Sequence, residues 1–184
     1  IANWGAIPLL EQTGQIPVGI TVDAPEKQQV RAGDAWPPIV VRMIDADGKV
    51  IDEAPAGTTI KLVPLTGSQK LQGTTKKTPY GGTAVFSDIS YRAVEDVAWG
   101  VEVDGPVRLV RYGLVAEVTP GAPAKFEVET PETSIAGQQF GMTVTVRDAF
   151  GNLATDYAGE MIVKPLGPLT QSPAPVFATP EDAG

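Results

Sequence analysis

Apolar and polar residues alternate along this chain in short runs separated by clusters of Gly, Pro, Asp and Asn. A period of two sends successive side chains to opposite faces, so each run predicts a half-buried antiparallel strand ending in a turn. The clearest run is 136–157, AGQQFGMTVTVRDAFGNLATDY. Met142, Val144 and Val146 share one face, Thr143, Thr145 and Arg147 the other, and Asp148-Ala-Phe-Gly-Asn152 is the closing turn. The same strand–turn unit occurs earlier as AGDAWPPIVVRMIDADGKVIDE, over 32–53. Further strands are predicted at 17–23, 58–63, 82–86, 96–103 and 107–118, with a short, poorly defined one around Leu71. Pro37 and Pro38 stand at the entrance to the 39–44 strand; neither can donate to a ladder, which suits an edge or a bulge.

The two copies can be registered on each other. Pro17 and Pro123 lie 106 apart (123 − 17), Gly33 and Gly137 lie 104 apart (137 − 33), and Asp45 and Asp148 lie 103 apart (148 − 45). Loop differences of one or two residues account for the drift. On this register Ile20 matches Phe126, Val22 matches Val128, Trp36 matches Phe140 and Val41 matches Val144. Apolar falls on apolar, so what repeats is a core. The five residues Thr119–Pro123 that join the copies include two prolines, which predicts a stiff connection.

With about seven short strands in the first copy and no helical periodicity, the expected fold is all-β, a sandwich. The PAKFEVETPE opening, the AGQQF step, TVTVRDAFGN and the aromatic strand DVAWGVEV resemble the bacterial immunoglobulin-like repeats of the invasin and intimin type, strongest over 121–164. The resemblance implies tandem immunoglobulin-like β-sandwiches, the second incomplete within this chain, in an extracellular or cell-surface setting such as adhesins, S-layers and surface filaments. The expected organisation is an N-terminal strand-like segment at 1–16, a first domain at 17–119 and a partial second domain at 120–184. Counterparts of the Trp99 strand and the 107–118 strand are missing from the second copy, whose last recognisable strand is 173–177. The 1–16 segment sits where the last strand of a preceding repeat would be. It therefore reads as the tail of such a repeat, in a window of a longer array, or as a donor strand for a neighbouring subunit. Trp4, Ile7, Leu9 and Leu10 are then its expected assembly anchors.

Composition narrows the function. Of 184 residues, 42% are hydrophobic and 20% charged, as in a globular protein. The net charge of −8 argues against nucleic acid as a partner. The one basic cluster, Lys76-Lys77, reads as a solvated loop tip. No apolar run approaches the length of a membrane helix, so no membrane insertion is expected in this segment. With neither His nor Cys, the chain cannot form a Ser-His-Asp or Cys-His nucleophile, and no enzyme is expected.

Calcium is the one cofactor the sequence leaves open, with Asp45, Asp47, Asp148 and Asn152 as weak candidate ligands. A helix-loop-helix site counted from Asp45 would need a glutamate at position 12, where Ala56 stands. The repeat also replaces Asp47 by Phe150. The simpler expectation is a turn whose Asp side chain caps backbone N–H groups. Trp36 and Trp99 are expected in the core. The expected function is a structural component of a stalk, layer or filament, with other copies or neighbouring repeats as partners. The alternatives are an adhesin module binding a host protein or glycan through loop 73–82, and an accessory domain of a secreted enzyme.

Overall fold

The computed structural model describes residues 16–162 and the strand residues 176–177. All regular structure among them is β. In chain order the strands are β1 (Gly19–Asp23), β2 (Lys27–Arg31), β3 (Ile39–Ile44), β4 (Thr59–Pro64), β5 (Lys76–Lys77) and β6 (Thr83–Phe86). Then follow β7 (Asp96–Asp104), β8 (Leu109–Thr119), β9 (Pro123–Glu129), β10 (Thr143–Asp148), β11 (Glu160–Met161) and β12 (Val176–Phe177).

The first eight strands form two packed sheets, ordered β1-β3-β6 and β2-β8-β7-β4-β5. Alternation supplies the packing. On β3, Ile39, Val41 and Met43 point inward and are fully buried, and Phe86 on β6 joins them. Facing them from the other sheet are Ile60, Leu62, Val97, Trp99, Val101 and Leu114. Fully burying side chains of this size contributes about 1.5–3 kcal/mol each. The Trp36 and Trp99 rings lie 5.7 Å apart at 55°, in the core as expected.

Four details differ from the sequence reading. Residues 27–31 form a strand of their own: the chain breaks at Pro25, crosses to the other sheet and pairs in parallel with β8. That strand was hidden because one of its two inward positions is polar, Gln28 beside Val30. Lys76-Lys77 is not a loop tip but the edge strand β5 on β4. Lys77 donates to the Val85 carbonyl at 2.6 Å and lies 5.5 Å from the Phe86 ring centre, tying this edge to the opposite sheet. Charged residues also discourage pairing of a free edge with another chain. At Leu71 the ladder is reduced to an isolated bridge between Gln72 and Ser90. The prolines Pro37 and Pro38 precede the central strand β3 rather than sitting at an edge, so they lie outside its ladder.

Beyond Thr119, β9 and β10 pair in the register that β1 and β3 use. Ile20 faces Met43 and Val22 faces Val41; Phe126 faces Val146 and Val128 faces Val144. These are the pairs that the 106- and 103-residue offsets superpose. The burial is not alike. Phe126 and Val128 are 54% and 57% exposed, whereas their matches Ile20 and Val22 are partly buried against the core of the first sandwich. Phe126 and Val128 therefore leave an open apolar face on β9, Val146 on β10 stays buried, and Phe140, the match of buried Trp36, is exposed.

Candidate functional site

The most elaborately bonded place outside the core is the junction at which the 148–152 turn meets the first sandwich. The turn itself follows from sequence. The Asp148 carboxylate Oδ1 accepts from the Phe150 and Asn152 backbone N–H groups at 2.8 and 2.9 Å. Asp148 N–H donates to the Asn152 carbonyl at 2.9 Å, and Gly151 closes the turn with φ +91. The earlier turn is built identically: Asp45 Oδ1 accepts from Asp47 and Lys49 N–H at 3.0 and 2.9 Å, with Gly48 at φ +78. This is the backbone cap expected of an Asp in such a turn.

Only the later turn carries additional contacts of this kind among the described residues. Asp148 is fully buried, and its Oδ2 accepts from Gly121 N–H at 3.0 Å and Asn152 Nδ2 at 2.7 Å. Asn152 bridges outward as well: Nδ2 donates to the Arg92 carbonyl at 2.7 Å, and Oδ1 accepts from Val94 N–H at 3.4 Å. Phe150 lies on Gly33, with its ring in the space a Cβ there would take, and 5.5 Å from the Arg92 guanidinium. Gly33 holds φ +83, so both its conformation and the ring above it demand glycine. Arg31 and Asp156 add a half-exposed ion pair at 3.3 Å, a contact worth at most about 1 kcal/mol. A crevice of about 470 Å³ lies between Gln29–Arg31, Thr119–Pro120 and Thr155–Asp156.

The receiving side is braced from within. Tyr91 is buried; its hydroxyl donates to Glu95 at 2.6 Å and accepts from Gln69 N–H at 2.8 Å. Ser68 donates to the same Glu95 oxygen through both N–H and hydroxyl. The braced segment then offers three backbone groups to its surroundings: the Tyr91 carbonyl to Gly33 N–H at 2.7 Å, and the Arg92 carbonyl and Val94 N–H to Asn152.

Electrostatics agree with the geometry. Burial pushes the Asp148 carboxyl up, but the hydrogen bonds from Asn152, Gly121 and Phe150 together hold it below the ordinary aspartate value. The Tyr91 and Ser68 hydrogen bonds hold Glu95 below its ordinary value, and burial with the Glu95 contact raises Tyr91.

Of the residues singled out from sequence, Asp148 and Asn152 meet at this junction, while Asp45 and Asp47 stand in the other turn. No three acidic side chains among the described residues gather where they could hold a metal ion. At Asp148, all four oxygen contacts described come from N–H donors, which suits a clamp. Trp4, Ile7, Leu9 and Leu10 lie outside the described residues. In loop 73–82, β5 takes up two positions and Tyr80 is 92% exposed. Sequence reasoning missed the partners Gly33, Arg92, Val94 and Gly121; the second Gly of the repeated Ala-Gly step was the available signal for Gly33. No family model, curated protein or solved structure matches the chain.

Proposed function

We propose that the chain is a non-enzymatic structural element: tandem immunoglobulin-like units, residues 17–119 and 120–184, that build a stalk, layer or filament at a cell surface or outside the cell. Strand order supports the immunoglobulin-like reading, because two sheets of β1-β3-β6 and β2-β8-β7-β4-β5 carry the strand neighbours of that sandwich. The observation that carries the functional reading is the clamp of Asp148, Phe150 and Asn152 on Gly33, Arg92 and Val94. A clamp of this design transmits orientation from one unit to the next and does no chemistry. The open face of β9 and β10 belongs to the same reading: it asks for counterparts of β7 and β8, from later residues or from a neighbour by strand addition. In the second route Ile1–Ile16 is the donor, and Leu9→Asp with Leu10→Asp abolishes assembly.

Light scattering with intact-mass measurement on native material tests the proposal. A longer multi-unit chain or a polymer of short chains supports it; a folded monomer of 19.3 kDa contradicts it. One observation favours a second reading, an adhesin module. Tyr80 projects almost wholly into solvent from the tip of loop 73–82, where an aromatic ring suits a glycan or protein contact. Binding lost on Tyr80→Ala would establish it.

A further inference from the structure

Besides the turn that docks, the receiving turn also occurs twice. In Arg31-Ala-Gly-Asp34, Asp34 N–H donates to the Arg31 carbonyl at 3.1 Å and Gly33 holds φ +83. In Ile135-Ala-Gly-Gln138, Gln138 N–H donates to the Ile135 carbonyl at 3.0 Å and Gly137 holds φ +85. The two glycines are the repeat partners 104 positions apart (137 − 33). Over Gly33 lies the Phe150 ring; over Gly137, among the described residues, no atom comes within 4 Å of where a Cβ would be. Ile135 beside it is 68% exposed.

We propose that the 135–138 turn is a second receiving site, and that its occupant is a further immunoglobulin-like unit presenting an Asp-x-aromatic-Gly-Asn turn. The inference rests on the tandem reading above and extends the contact of the 148–152 turn by one repeat. Docking turn and receiving turn lie at opposite ends of a unit in chain order of use: 148–152 faces backward to Gly33, and Gly137 faces forward. Head-to-tail contacts of this kind generate open arrays where the rotation between units does not close into a ring. The chemistry of the occupant is set by what fills the first site. The edge of an aromatic ring must come against the glycine, with an Asn placed to reach backbone groups beside it. The first unit's own turn does not qualify, since Asp47 and Lys49 replace Phe150 and Asn152. It presents charge where the contact needs an apolar ring.

Grafting tests this. Asp47→Phe with Lys49→Asn gives the 45–49 turn the docking sequence without touching the existing junction. Unlabelled grafted chain is titrated into isotope-labelled unaltered chain to about 1 mM, the range expected of a small interface. The expected result is a saturable shift of the Gly137 and Gln138 amide resonances, at least tenfold weaker when the labelled chain carries Gly137→Asn. Asn tolerates positive φ and fills the space above the turn. No shift at these amides, shifts confined to the β9–β10 face, or equal shifts with Gly137→Asn would each overturn the proposal. Gly33→Asn in the unaltered chain is the companion measurement. If it leaves the Phe150 and Asn152 resonances unmoved, the tandem junction itself is at fault; if it moves them and the graft is silent, the failure belongs to this proposal alone.

Discussion

The Asp45 and Asp148 turns have the same backbone and opposite fates. Each has an Asp at its first position capping the N–H groups two and four residues on, and each has a glycine at its fourth. Two side chains separate them. Asp47 and Lys49 leave the first turn in solvent; Phe150 and Asn152 attach the second to the preceding sandwich. The strands leading into the turns show the inverse contrast. β3 is buried beneath a second sheet, while β9 and β10, paired in the same register, keep Phe126 and Val128 open. Local sequence writes turn and register; what each copy meets decides whether its apolar residues become core or surface, and whether its turn becomes a contact.

The largest expected effect breaks the strand comparison. Met43→Ala should destabilise the protein by about 2–5 kcal/mol, the range for large-to-small changes in a closed core. Val128→Ala on the open face should stay within about 0.5 kcal/mol. Denaturant unfolding monitored by Trp fluorescence separates them, and equal losses would mean the β9–β10 face is covered in solution.

Next is the turn comparison. Asp148→Ala strips the acceptor from four N–H groups around a buried site and should cost about 3 kcal/mol; Asp45→Ala, exposing two such donors near solvent, should cost about 1 kcal/mol. Amide hydrogen exchange over 148–154 and 45–51 reads each loss where it occurs.

Acid sharpens the same contrast. The Asp148 carboxyl is held below its unfolded value, so its contribution is complete above that unfolded value and disappears as pH falls through the lower folded one. Glu95 follows the same sign on the receiving side. The junction amides of Gly121 and Val94 are therefore expected to hold their resonance positions through mildly acidic pH and shift only in strong acid. A shift near neutrality would contradict the assignment.

The smallest expected effect widens the stability gap between the regions. Gln28 is buried on β2, and among the described residues neither of its amide atoms has a hydrogen-bond partner. Gln28→Leu removes that desolvation cost and should stabilise the first sandwich by about 1 kcal/mol, read as a higher denaturation midpoint.

Much of this was legible in the residues. Alternation located β3, β4, β6, β7 and β8 nearly to their ends, and the positions matched between the two copies occupy equivalent places in the β1–β3 and β9–β10 pairs. The cap at Asp45 and Asp148 followed from Asp and Gly at turn positions. What escaped depends on distant parts of the chain. β2 carries a buried glutamine and so breaks the apolar pattern, and β5 is two lysines whose pairing with β4 no local rule announces. The docking role of Phe150 and Asn152 was invisible because their partners, Gly33, Arg92 and Val94, lie 58 to 117 positions upstream (152 − 94; 150 − 33). Exposure of Phe126 could not be read at all, since its sequence is that of a core position.

The central claim is that the 148–152 turn fixes the orientation of residues 120–162 on the first sandwich. Residual dipolar couplings of the unaltered chain in a weakly aligning medium test it without any substitution. The account predicts a single alignment tensor fitting β3, β7 and β8 together with β9 and β10. Two tensors of different magnitude, one for each region, would show that the clamp does not hold and would contradict it.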